Sequence, residues 1–206
     1  MPRALTSVLL IFAAAGTATA QNYTIATLAG GGPRLGSQST NLTIGSYQGI
    51  TGITVDSHGD FYITLYDAGK VYRFDPRGAL KQIIGTGFSS EYSGEGGPAA
   101  YATLAGPCGL AMDSNDNLYL AMDTRVARVE ASTGVITSIA GSGHGRYKGD
   151  GGPATLAGMD VSCRVAVDAS GNVFIADANH NRVRKSGCAN EHDHHRRGYR
   201  HARVQR

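Results

Sequence analysis

One phrase occurs three times along this 206-residue chain, and it restricts the fold more than any other feature. In its middle copy it reads Gly109-Leu110-Ala111-Met112-Asp113, then Ser114-Asn115-Asp116-Asn117, then Leu118-Tyr119-Leu120-Ala121, then Val126-Ala127-Arg128-Val129. The first copy runs Gly52-Ile53-Thr54-Val55-Asp56, Ser57-His58-Gly59-Asp60, Phe61-Tyr62-Ile63-Thr64 and Gly69-Lys70-Val71-Tyr72-Arg73-Phe74. The third runs Arg164-Val165-Ala166-Val167-Asp168, Ala169-Ser170-Gly171-Asn172, Val173-Phe174-Ile175-Ala176-Asp177 and Asn181-Arg182-Val183-Arg184-Lys185. Asp56, Asp113 and Asp168 mark the same point in each copy. A fixed period of roughly 55 residues is the signature of a solenoid, propeller or array.

Each copy holds an alternating apolar run, a polar turn, and two further alternating runs. Asp and Asn side chains can bond the backbone two residues on, and Gly or Asn tolerates positive φ. Gly59-Asp60, Asp116-Asn117 and Gly171-Asn172 are therefore predicted as hairpin turns, each opened by the aspartate before it. A fourth run follows at 80–84 and 135–140, and another at 23–29 precedes the first copy. Four short antiparallel strands per repeat make one propeller blade. The expected fold is all-β, a β-propeller domain over 21–185 with about three four-stranded blades, the repeats lying near 52–78, 109–134 and 164–185.

The phrase G-[LV]-A-[MV]-D-x-x-G-N-[LV]-[YF]-[IL]-A-D…N-R-[VI]-R-[KR] resembles the NHL-repeat family of β-propellers, and 176–185 carries the best match. The spacers Ile84-Gly85-Thr86-Gly87…Tyr92-Ser93-Gly94-Glu95-Gly96-Gly97-Pro98-Ala99 and Ile139-Ala140-Gly141-Ser142-Gly143…Tyr147-Lys148-Gly149-Asp150-Gly151-Gly152-Pro153-Ala154 resemble those of secreted bacterial NHL proteins. The resemblance covers about 23–185 and implies a fold, while one fold hosts many functions. A closed propeller needs about four to eight blades. The chain is thus expected to be a truncated fragment of a longer, six-bladed parent, with a ring-completing homodimer as the alternative. Unpaired edges of such an open arc favour self-association.

Residues 1–20 read as a secretory signal peptide: Arg3, a short apolar run from Leu5 to Ala15, and Ala18-Thr19-Ala20 as the cleavage site. The run is too short for a membrane anchor. The mature chain is expected to be secreted, periplasmic or extracellular, with no membrane partner after cleavage. The chain has 29 glycines and no tryptophan, which suits many tight turns. Its formal charge of +3 is concentrated near the C-terminus and does not argue for a nucleic-acid partner. Asn22 and Asn41 match the glycosylation sequon, a chance match in a chain whose repeats look bacterial. Residues 30–50, 85–107 and 141–163 are Gly-, Ser- and Thr-rich. The last two recur in pattern, so they are expected to be ordered excursions between blades that emerge on one face, the default place for a ligand.

Cys108 and Cys163 share one repeat position. An exported compartment permits a disulfide between them, but inner strands of adjacent blades are marginal for the Cα separation of about 7 Å it needs. Two buried thiols are the other reading.

After Lys185 the pattern stops, and residues 186–206 form a His- and Arg-rich tail. His192, Asp193, His194, His195 and His201 invite a metal reading. The genetic code offers a better one. With His as CAY, Asp as GAY and Arg as CGN, a shift of one base allows Thr-Thr-Thr-Thr-Val-Ala-Gly-Thr-Gly-Thr-Pro-Gly-Tyr-Ser-Gly. That string is the missing fourth strand and the start of a spacer. The tail is read as out of frame and disordered.

No nucleophile elbow, His-Glu-x-x-His, Walker loop or CxxC occurs. Asp113-Ser114-Asn115-Asp116-Asn117 resembles an EF-hand start, but Leu118 stands where Gly is needed and Thr124 where the bidentate Glu belongs. Asp56, Asp113 and Asp168, with Gly59, Asn117, Gly171 and Asn172, recur once per blade, as structural turn residues do. His58, His144, Arg146, Lys148 and His180 occur once and read as solvated loop residues. No catalytic, cofactor-binding or metal residue is assigned. One function class is a non-enzymatic binding or scaffold module for a protein or glycan. The other is part of a six-bladed enzyme of gluconolactonase-like or lyase-like type with a divalent metal in its channel. A non-functional frameshifted fragment is the third.

Overall fold

The computed structural model describes residues 49–160 and 164–187. Strands β1 (Ile50–Val55), β2 (Phe61–Leu65), β3 (Lys70–Phe74) and β4 (Leu80–Ile84) form the first sheet in chain order, each antiparallel to the next. A short parallel pair, β5 (Phe88–Ser89) and β6 (Leu104–Ala105), lies in the spacer. β7 (Gly109–Met112), β8 (Leu118–Ala121), β9 (Val126–Val129) and β10 (Ile136–Ala140) repeat the four-stranded meander. β11 (Val165–Val167), β12 (Val173–Asp177) and β13 (Arg182–Ser186) make the third sheet, three-stranded among the described residues.

The Asp-led turn forms in all three sheets by the same bonds. The N–H of Asp56, Asp113 and Asp168 donates to the carbonyl of Asp60, Asn117 and Asn172, at 2.9, 3.2 and 3.0 Å. Gly59, Asp116 and Gly171 donate back to the leading aspartate and take positive φ, at 83°, 61° and 77°. Each is a three-residue loop closed by one left-handed residue. This corrects the simple two-residue turn expected from the sequence. Asn117 and Asn172 are not the left-handed residues. They immediately precede the next strand, and in the second copy Asp116 takes the conformation glycine takes in the others.

The sheets stack face to face, and their apolar faces make the core. Tyr62, Val71 and Ile84 of the first sheet meet Leu118, Leu120 and Ile136 of the second. Tyr119, Ala121 and Val126 on the other face of the second meet Val173 and Ile175 of the third. β8 is buried along its whole length because the first sheet covers one face and the third the other; β2 is also buried throughout, with Phe61, Ile63 and Leu65 packed against Tyr72 and Phe74 of the same sheet. The spacers are not free loops. The 3-10 turns Ala99–Tyr101 and Ala154–Leu156 fold back so that Ala99, Ala102 and Leu104 enter the first junction and Ala157 and Met159 the second.

Among the described residues no helix is long and apolar enough to cross a bilayer. The signal peptide, the strand at 23–29, Asn22, Asn41, Cys163 and the tail from 188 onward lie outside the described residues. Ser186 belongs to β13 and pairs with Val173, so the repeat runs one residue beyond Lys185.

Candidate functional site

The recurring aspartates are committed to their own turns. Asp113 accepts from the N–H groups of Asn115 and Asn117 at 2.9 Å each, from Asn117 Nδ2 at 2.9 Å and from the Tyr119 hydroxyl at 3.2 Å. Burial pushes its pKa up, but these bonds outweigh burial and hold it below the usual carboxylate range. Asp168 accepts from Ser170 N–H, Asn172 N–H and Asn172 Nδ2 at 2.9, 2.8 and 2.7 Å. The Asn172 side chain is the main cause of its lowered pKa. Lone pairs used in this way make these carboxylates turn-builders.

The first copy departs from that pattern. Asp60 stands where the other turns have Asn117 and Asn172, so a second carboxylate replaces an amide donor. Asp60 is 1% exposed and Asp56 7%. Two adjacent buried anions need cations. Arg73 bridges them, with Nε 2.8 Å from Asp60 and Nη2 2.9 Å from Asp56. Lys81 Nζ adds a bond of 2.8 Å to Asp60. The Lys81 hydrogen bond is the largest cause of the lowered Asp60 pKa, ahead of the burial that opposes it. Burial, with the Asp56 charge and hydrogen bond against the opposing Arg73, pushes the Tyr62 phenol up to about 12.

Beside this cluster, where the β1–β2 turn faces the β7–β8 turn, lies a cleft of about 220 Å³ lined by His58, Arg73, Gln82, Asn115, Asp116 and Glu130 among others. Asp116 crosses between the sheets, accepting from Ser57 N–H at 2.8 Å and Ser57 Oγ at 2.6 Å. Those bonds, the hydroxyl first, lower the Asp116 pKa. Ser57, His58 and Asp116 meet here although the chain separates them, and the sequence gives no hint of it. Their order does not make a proton relay. Ser57 Oγ donates to the carboxylate directly, and the same His58 nitrogen, Nδ1, faces both Ser57 Oγ at 3.3 Å and Asp116 at 3.6 Å. A relay needs the imidazole between the other two, one nitrogen to each.

The first strands of the sheets lie side by side at the opposite edge from β4 and β10. A second cavity of about 310 Å³ opens there, lined by Ile50, Thr51, Ile53, Leu110, Arg164 and Val165 with Gly52 and Gly109. The described lining offers a hydroxyl and a guanidinium but no carboxylate or imidazole, so it does not compose a set for the divalent metal of the enzyme-like alternative. Among the described residues no group of three His, Cys, Asp or Glu side chains converges elsewhere. Cys108 is buried beside this edge, its Sγ 3.5 Å from the Ala121 carbonyl.

Of the residues that occur once, His58, His144, Arg146 and Lys148 are exposed. His180 is not the solvated residue the sequence suggests. Its Nδ1 lies 2.7 Å from Asp177, a fully buried carboxylate that also accepts from Asp160 N–H at 2.9 Å. Tyr147, Arg182 and Arg184 close over the same corner.

No protein-family model matches the chain, and no curated protein does. Solved structures do. A protein of unknown function from Bacteroides thetaiotaomicron superposes with a TM-score of 0.52 at 20% identity, over 62% of this chain and 32% of its own. The fold is that of a β-propeller whose ring is not closed among the described residues. Virginiamycin B lyase from Staphylococcus aureus gives a TM-score of 0.46 at 14% identity, over 71% of this chain and 41% of the lyase. The chain thus spans well under half the length of these structures, and at such identities the likeness concerns the fold alone.

Proposed function

We propose that the chain is part of an exported NHL-type propeller that serves as a binding module, taking the end group of a glycan in the cleft between its first two blades. The observation that carries this reading is the cleft itself. It gathers donors (Arg73, Gln82, Asn115) and acceptors (Asp116, Glu130) around about 220 Å³, a volume below the usual 300–1,000 Å³ of small-molecule pockets. A mixed donor and acceptor lining of that size suits a sugar ring with its hydroxyls. A protein ligand would need a contact of about 800 Å² on each partner, which a cleft of this kind does not supply by itself. The repeat phrase, with its Asp-led turns, supports the NHL assignment, and the N-terminal twenty residues support export.

The test is a saccharide-array screen of the mature full chain, followed by calorimetry on the best binder. Asn115→Ala and Gln82→Ala should each weaken binding by about tenfold, a loss of about 1.4 kcal/mol. Failure to bind any saccharide, or binding untouched by both substitutions, overturns the reading.

A further inference from the structure

The cleft between the first two blades carries more negative charge than its own framework neutralises. Behind it the charges cancel. Arg73 lies against Asp56 and Asp60 at 2.9 and 2.8 Å, and Lys81 lies against Asp60 at 2.8 Å. Two further carboxylates, Asp116 and Glu130, line the same cleft, and the described lining adds no lysine or arginine to match them. His58, 3.6 Å from Asp116, is a cation only when protonated. Even then the cleft stays negative.

Neither extra carboxylate belongs to the repeating framework. Leu118 pairs with Val129 as Val173 pairs with Ser186, which aligns the second and third blades. On that register Asp116 stands where the third blade has Gly171, and Glu130 where it has Gly187. A residue the blade needs in order to fold recurs with the blade, and these two do not. Asp116 holds a φ of 61°, a left-handed conformation that is harder for it than for Gly59 and Gly171. Its two oxygens accept one bond each from Ser57, at 2.8 and 2.6 Å, and a carboxylate has room for about four.

Glu130 is released by a change of partners. Its counterpart in the first blade, Asp75, builds the β3–β4 turn by accepting from Arg77 N–H at 2.9 Å and Ala79 N–H at 2.7 Å. In the second blade Asn117 Oδ1 takes the Ala131 N–H instead, at 3.0 Å. Among the described residues Glu130 accepts from the Thr133 hydroxyl at 3.0 Å and from no backbone N–H. Its carboxylate is therefore available to the cleft.

The arrangement suits an ammonium better than a metal ion. Among the described residues Asp116 and Glu130 belong to no group of three His, Cys, Asp or Glu side chains that could close around a metal. An ammonium needs no such shell, because it brings three donors of its own. We propose, on the glycan reading of this cleft, that its sugar is an amino sugar with a free ammonium group. The ammonium is seated against Asp116 and Glu130, and the ring hydroxyls meet Gln82 and Asn115.

The test is calorimetry of the mature full chain with trimers of glucosamine, N-acetylglucosamine and glucose in the same linkage. They differ only in an ammonium, an acetamide or a hydroxyl on one ring carbon. A buffer of about pH 6 keeps an amine protonated and a carboxylate ionised. The glucosamine trimer should bind at least about tenfold more tightly than either of the others. Glu130→Gln keeps the side-chain shape and removes the charge. Asp116→Gly restores the residue of the other two turns. Each should cut the preference to below about threefold. Equal affinity for the three trimers overturns the proposal and leaves the glycan reading standing. Binding of none overturns the proposal, and the saccharide array then decides the glycan reading separately. A preference that survives both substitutions places the ammonium elsewhere and overturns it. A simple diamine that binds as tightly as the glucosamine trimer assigns the two carboxylates to polyamines and overturns it too.

Discussion

Asp60 is the residue at which the first blade departs from its siblings. In the other two turns the equivalent Asn donates its amide to the leading aspartate. In the first, Asp60 cannot donate, and Arg73 and Lys81 replace the missing proton donor with positive charge. Removing a cation from a buried pair costs about 3 kcal/mol because it strands a charge. Arg73→Ala is expected to lower stability by about that amount, since both Asp56 and Asp60 lose it. Asp60→Asn should cost under about 1 kcal/mol, because it recreates the arrangement of the second and third turns. Urea unfolding of the three proteins checks this order. The same group has a readable pH signature. Its folded pKa is lowered, so the stability it contributes is present above the unfolded value near 4 and is lost as pH falls through the folded one. Asp60→Asn should remove part of the acid-unfolding slope below about pH 4, while the other lowered carboxylates, Asp113 and Asp168 among them, keep the remainder.

Single strands here are held as much by the neighbouring blade as by their own sheet. Thr64 is fully buried in β2, and its hydroxyl donates across the junction to the Cys108 carbonyl at 3.1 Å. Gly52 of β1 makes this approach feasible. A Cβ added there would lie 2.6 Å from the Cys108 carbonyl oxygen and 2.9 Å from Thr64 Oγ1. Both obstacles are rigid, so Gly52→Ala is expected to force β1 and β7 apart and cost about 1–3 kcal/mol. Thermal unfolding would register the loss, and a variant as stable as the parent would show that the inner strands separate without strain. The strands and their order were legible in the sequence because alternation and Asp-led turns are local signals. The spacers' role was only half legible. Their recurrence marked them as ordered, but nothing in Gly-Gly-Pro-Ala says that its backbone is shared between the strand before it and a strand about forty residues later.

At the scale of the molecule, blades touch only their neighbours, so the two ends of the arc differ from its middle. At the first end Ile53 and Val55 are 66% and 55% exposed, although the strand beside them, β2, is buried throughout. At the other end of the described residues Phe174 and Val183 are 36% and 75% exposed, on the face of the third sheet turned away from the second. Exposed apolar residues on an unpaired sheet invite association, and lysine placed among them opposes it. Sedimentation velocity is expected to show concentration-dependent association of the encoded chain, reduced by Val183→Lys. That substitution should change stability by no more than about 0.5 kcal/mol, as its site is on the surface. Association unchanged by the substitution would place the sticky surface elsewhere.

The sequence by itself determined the blade: its strand order, the aspartate that opens each first turn, and the period that repeats it. These follow from interactions between residues a few positions apart, which the repeat spells out three times. Only the tertiary structure decided which residues of different blades meet. Ser57 with Asp116 and Thr64 with Cys108 both depend on how one sheet stacks on the next. That stacking comes from the shape of buried apolar faces and from backbone bonds made across the junction. Neither leaves a pattern in the order of the residues.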